Sequence, residues 1–190
     1  MTAMPTNEKL LLLLISGGVF VLGKLKTPGG PLKLHQDPTD SFSVMEQFKN
    51  VVAISDADNE TIFECLSATR TNIDPETHTA TYNFLFSASG HYFHRVTLPF
   101  RISRGEVPGT VTFTVAEDLM PLEGQVYYTD FENCVVVAAE FYDQDRCILW
   151  TRREVKDAVP QDCIDHFVDT CGVIVPQHSR DLCPDGEGDY

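Results

Sequence analysis

Residues 133–152 read NCVVVAAEFYDQDRCILWTR. Two runs of β-branched, small and aromatic residues flank a polar Asp143-Gln144, which predicts an antiparallel hairpin. A two-residue loop at Asp143-Gln144 pairs Tyr142 with Asp145, Glu140 with Cys147 and Cys134 with Arg153. The two cysteines then share one face of the sheet. Period two turns Val135, Val137, Ala139, Phe141, Ile148 and Trp150 to the other face. Arg146 and Arg152 fall on that second face too, at the two ends of the last strand, where each meets either a ligand carboxylate or the rim of the structure.

The same period extends upstream as far as Lys49. Eight strands are expected, at about Asn50–Ser55, Thr61–Thr69, Thr79–Ser87, Tyr92–Ser103, Thr110–Ala116, Gly124–Asp130, Asn133–Tyr142 and Arg146–Arg152. Turn chemistry such as Ile73-Asp74-Pro75, Ser89-Gly90 and Val107-Pro108-Gly109 separates them, and short links force antiparallel neighbours. The predicted class is all-β: eight antiparallel strands closed into an up-and-down barrel whose interior holds one small ligand. Parity about Cys65 turns Ile62, Glu64 and Leu66 inward, and Tyr82, Phe84 and Phe86 share an interior face. The expected ligand-binding residues are therefore Glu64, Tyr82, Phe84, Val135, Val137, Phe141, Ile148 and Trp150. Glu64 is the one acid among them, and a carboxylate facing a dry core needs a partner, which favours a hydrated cavity over a solid core.

Two helices complete the barrel. Thr39-Asp40 offers an N-cap, and Phe42, Met45 and Phe48 recur at helical spacing, so a short helix enters the domain with an apolar face that plugs it. After the last strand, Pro160 at N1 and Gly172 at C′ bracket a second helix. Its stripe of Cys163, Ile164, Phe167, Val168 and Cys171 packs on the outside of the barrel. Six cysteines allow 15 pairings. If the helix begins near Cys134 and runs back along the hairpin, Cys163 lies beside Cys134. Cys171, eight residues or about 12 Å further on, comes within reach of Cys147, which leaves Cys65 with Cys183.

The first 23 residues carry Lys9 before an apolar run from Leu10 to Gly23, the pattern of a signal peptide too short to span a bilayer. Residues 24–38 are rich in Pro, Gly and Lys and read as a flexible leader, residues 39–183 as the barrel domain, and residues 184–190 as a disordered acidic tail. Export agrees with an even number of cysteines held as disulfides, and Asn59-Glu60-Thr61 makes Asn59 a glycan acceptor. A formal charge of −14 repels phosphate backbones, so nucleic acid is excluded as a partner. No membrane partner, cofactor or metal is expected, since His91 and His94 face opposite sides of a strand and no cysteine spacing suits zinc. His35, His78 and His178 lie in loops. Cys163 and His166, three apart on a helix, resemble a thiol and its base, but an exported, oxidised chain pairs its cysteines, so no enzyme is expected.

Further motifs carry a family likeness. Val126-Tyr127-Tyr128-Thr129-Asp130 precedes Asn133-Cys134, Cys147-Ile148-Leu149-Trp150 follows, then Val159-Pro160-Gln161-Asp162-Cys163, with Phe63-Glu64-Cys65 early and Arg180-Asp181-Leu182-Cys183 late. Over about 125 residues, in an ordered cysteine framework, the chain resembles the tick salivary lipocalins of the histamine-binding-protein family. The resemblance implies a lipocalin barrel, an early cysteine bonded to the terminal one, and a strand cysteine bonded to the helix cysteine. It also implies a secreted scavenger of host mediators: histamine, serotonin, leukotrienes or other lipids, and in some cases a host immune protein; the expected state is a monomer. Amine binders of the family carry an acid directly after the strand cysteine and a Glu before Leu-Trp, and those positions here are Val135 and Ile148. An ammonium without those acids is costly to bury, so the expected ligand is hydrophobic, an eicosanoid, fatty acid or sterol, with an amine or a host protein as the alternatives. Many relatives carry an N-terminal Trp, in whose place Phe42 stands here.

Overall fold

The computed structural model describes residues 29–34, 39–56, 63–87, 95–115, 121–141, 144–172, 175–176 and 183. The expected signal peptide, the tail 184–190, the sequon at Asn59 and residues His35, Ile62, His91, Tyr92, His94 and His178 lie outside them. In chain order the elements are α1 (Ser41–Gln47), β1 (Asn50–Asp56), β2 (Ser67–Asp74), β3 (Thr79–Ser87), β4 (Arg95–Arg104), β5 (Thr110–Val115), β6 (Leu122–Thr129), β7 (Cys134–Phe141), β8 (Gln144–Arg152), α2 (Gln161–Cys171) and β9 (Val175–Pro176).

Strands β1 to β8 pair antiparallel in sequence order, and β1 closes the barrel by pairing with β8 on one side and β2 on the other. This is the closed eight-stranded up-and-down barrel with two helices that the period of two predicts. The two-residue β9 adds Ser55↔Pro176 and Asp56↔Val175 at the end of β1 beyond its pairing with β2.

The central hairpin is shifted from its expected register. Phe141 pairs with Gln144 and Cys134 with Thr151, so Gln144 belongs to β8 and is not part of a loop at Asp143-Gln144. A slip of one residue would reverse every side chain, but each β7 residue here meets a β8 partner two positions from the expected one, and all faces are kept. Strand β2 differs more. Residues 63–65 form a tight turn, closed by Leu66 N–H donating to the Phe63 carbonyl at 3.2 Å, and Cys65 takes a left-handed φ of 57°. The strand therefore begins at Ser67, not Thr61, and strand parity does not govern Glu64.

All three disulfides match the expected pairing: Cys134–Cys163, Cys147–Cys171 and Cys65–Cys183. The first two hold α2 against β7 and β8, burying Val136, Leu149 and Phe167 in an apolar layer outside the barrel. Pro160 occupies the N-cap rather than N1, and Gly172 ends the helix at φ 87°, a backbone conformation that glycine adopts without strain. Ile164 and Val168 of the expected stripe are only half-buried, whereas Asp169 and Thr170 are buried.

The segment Gly29–Leu34 explains that burial, and it is not the featureless leader expected. The N–H groups of Gly30 and Leu32 donate to the carbonyls of Thr170 and Asp169 at 3.0 Å each, and those of Lys33 and Leu34 donate to the Asp169 carboxylate at 2.9 and 2.8 Å. Burial pushes Asp169 up, but these two donors, with His166 and Lys33 nearby, hold its carboxyl below the usual range. Gly30 is required by proximity, since a Cβ there would stand 2.1 Å from the Asp169 carbonyl oxygen.

The Tyr128-Thr129-Asp130 motif serves the β6–β7 turn. The Asp130 carboxylate accepts N–H groups of Glu132, Asn133 and Cys134 and the Asn133 side-chain amide, at 2.7–3.0 Å. Burial acts to raise its pKa, and these donors outweigh it and hold the carboxyl below the usual range. The resulting stability is present above the ordinary carboxylate pKa and is lost as pH falls through the lowered one. Asp130→Ala is expected to cost about 2 kcal/mol at neutral pH. In chemical denaturation the gap from wild type closes as the solution is acidified, and a gap independent of pH contradicts this role.

Candidate functional site

Period two and barrel closure leave a cavity of about 150 Å³ along the axis. At one end α1 enters with Val44, Met45 and Phe48. Strand β8 runs toward that end and reaches it at Arg152, so Arg146, near its start, lies at the opposite one with Phe63 and Phe141. Between them stand Phe84, 4.4 Å from Phe100 and 5.7 Å from Trp150 between ring centroids. An apolar cavity of this size accepts a compact hydrophobic body of roughly benzene's dimensions without rearrangement.

Seven of the eight side chains nominated from sequence line this cavity: Tyr82, Phe84, Val135, Val137, Phe141, Ile148 and Trp150. Glu64 does not. It sits half-buried on the 63–65 turn, and its neighbours Phe63 and Leu66 line the cavity instead. The contributions of β4 and β5, Phe100, Ile102, Val111 and Phe113, were not nominated, although the same alternation along TLPFRIS and TVTFT carries them. The helix face was legible as a plug through Met45 and Phe48, and the structure adds Val44.

The α1 end is apolar because its polar groups serve α1. The last carbonyls of a helix lack intrahelical partners and attract cations. Arg70 donates to the carbonyls of Met45 and Glu46, and Arg152 to that of Gln47 at 3.0 Å while lying 5.3 Å over the Phe48 ring. The Tyr82 hydroxyl donates to the Met45 and Phe48 carbonyls at 3.1 and 2.6 Å. Tyr82 thus offers the cavity its ring and α1 its hydroxyl. Of the two arginines expected inward on β8, Arg152 anchors the plug and Arg146 remains in the lining, 6% exposed and 5.2 Å over the Phe63 ring.

Among the described residues, the other chemistry-bearing side chains form no second centre. Cys163 is bonded to Cys134, so it is no thiol for His166 to activate, and the His166 ring stacks on Tyr128 at 3.6 Å. Asp130, Cys134 and Cys163 lie within 4.8 Å of one another, but the disulfide uses both sulfurs and removes the thiolates a metal needs. His78 is exposed in the β2–β3 turn, edge-on to Phe42 at 5.0 Å.

Comparison with known proteins places this geometry. The family model described as tick histamine binding protein matches residues 32–178. No curated protein matches the chain. Among solved structures, AM182 in complex with serotonin aligns at a TM-score of 0.60 with 15% identity, over 78% of this chain and 95% of that one. Japanin from Rhipicephalus appendiculatus, bound to cholesterol, aligns at 0.53 with 12% identity, over 70% of this chain and 94% of its own. At these identities the likeness is one of fold.

Burial pushes the Tyr82 phenol up to about 12, against a smaller lowering by Arg70. The neutral form is the one the fold holds, so its contribution is complete below the ordinary tyrosine pKa and is lost as pH rises through about 12. Tyr82→Phe removes the hydroxyl from two buried carbonyls and is expected to cost about 1–2 kcal/mol. Tyr127 and Tyr128 are also shifted upward by burial, but Tyr82 ionises last, and alkaline ultraviolet titration is expected to show a final tyrosine step in the folded wild type that the variant lacks. Its persistence in Tyr82→Phe contradicts the assignment.

Proposed function

Because the chain belongs to the tick histamine-binding protein family, we propose that it captures a small hydrophobic ligand in the barrel and performs no chemistry on it. The reading rests on one observation above others: Val135 and Ile148 line the cavity at the two positions where the resembling amine binders carry acids. A buried ammonium needs a paired anion, and two aliphatic side chains provide none. Among the described residues, the ionisable side chains of the lining are Tyr82, Arg146 and Glu140 alone.

The biological setting follows the family and the sequence. The protein is exported through residues 1–23, folds as a disulfide-bonded monomer over residues 39–183, bears a glycan at Asn59 and removes a host mediator at a feeding site. Three disulfides suit an oxidising compartment, and no helix among the described residues is long and apolar enough to cross a membrane. A fatty acid or eicosanoid suits the apolar, aromatic lining.

Trp150 is the single tryptophan and lines the cavity, so its fluorescence reports occupancy. Wild-type protein is expected to respond to a fatty acid and not to histamine or serotonin. The double substitution Val135→Glu and Ile148→Glu is expected to reverse that order, weakening the fatty acid by at least about tenfold. Tight binding of an amine by the wild type, with no response to any fatty acid, contradicts the proposal whether or not the variant folds.

A further inference from the structure

We propose that Arg146 makes the cavity selective for an amphipathic monoanion, held with its carboxylate at Arg146 and its apolar tail toward α1. This rests on the hydrophobic-ligand reading and adds to it the chemistry of the ligand's head and the direction in which it lies.

Arg146 is the one cation in the cavity lining among the described residues. It enters that lining from β8, opposite Ala139 of β7, with 6% of its surface exposed. Arg152 shares the face but is spent on the Gln47 carbonyl and the Phe48 ring. The two ends of the cavity therefore differ in kind. At the α1 end Tyr82, Arg70 and Arg152 all bond the carbonyls of the helix, and what remains for a ligand is Val44, Met45 and Phe48. At the far end a guanidinium stands against the Phe63 ring.

A guanidinium carries five N–H donors in a planar fork that matches a carboxylate. That is enough to hold a ligand carboxylate alongside the contact Arg146 already makes within the protein. In an apolar surround the attraction is screened less than in water. The same charge repels an ammonium, so Arg146 opposes amines as well as favouring anions. Four residues, about 13 Å of strand, separate Arg146 from Trp150, so head and tail meet different side chains.

The test holds the tail constant and changes the head: octanoic acid, octanol and octylamine are titrated calorimetrically into the oxidised wild-type protein, Arg146→Gln and Arg146→Lys. The acid is expected to bind the wild type about ten- to a hundredfold more tightly than the alcohol, with the amine weakest. Arg146→Gln brings the acid to the level of the alcohol and leaves the alcohol unchanged, and Arg146→Lys keeps part of the preference. Equal binding of acid and alcohol by the wild type overturns the role of Arg146 while leaving the hydrophobic-ligand reading intact. Tightest binding of the amine overturns the charge assignment outright. Failure of all three to bind removes the hydrophobic-ligand reading, and this inference falls with it. If Arg146→Gln does not fold, the wild-type series and Arg146→Lys decide.

Discussion

Two cysteines on neighbouring strands are bonded to one helix, and this fixes which way the last hairpin faces. Cys134 of β7 reaches Cys163, and Cys147 of β8 reaches Cys171. With both cysteines turned out to α2, Val136 and Leu149 are turned out beneath the helix, and Val135, Val137, Ile148 and Trp150 are turned into the barrel. Each bridge contributes about 3–5 kcal/mol on the loop-entropy model. The larger consequence is directional, because it decides whether an acid or an aliphatic at positions 135 and 148 meets a ligand or a helix.

The second constraint is the plug. A seven-residue helix is too short to stand alone, and α1 holds its place because its neighbours complete its hydrogen bonds. Asp40 caps its first turn and lies 3.4 Å from Arg104, and the Ser41 hydroxyl donates to the Thr110 carbonyl. Its last carbonyls take Arg70, Arg152 and Tyr82. Polar groups that would otherwise face a ligand at this end are consumed in holding the helix. On the proposed reading, chemical discrimination falls to the opposite end, where Arg146 lines the cavity.

Much of this was legible in the sequence, for physical reasons that also mark where legibility stopped. Alternation survives as a signal wherever a strand has one wet and one dry face, which is why the cavity-facing residues of β3, β7 and β8 were found. The register of the hairpin was two off because the residues flanking Asp143 are polar on both sides, and pattern alone does not choose the turn. Glu64 was misplaced because Phe63-Glu64-Cys65-Leu66 contains no glycine, proline or asparagine to announce a turn, and the left-handed φ falls on a cysteine. The segment Gly29–Leu34 was unreadable because its docking depends on backbone donors meeting Asp169, a contact across more than a hundred residues with no periodic trace. Arg146 and Arg152 looked alike by parity, and only the position of α1 separates them.

The central claim is that a disulfide-bonded barrel with an apolar, aromatic cavity carries an apolar ligand rather than an amine. Native mass spectrometry of the secreted, oxidised protein, followed by organic extraction of what it holds, tests this most directly. A co-purifying hydrophobic acid that leaves on extraction is the predicted result. A stoichiometric biogenic amine in its place would contradict the claim.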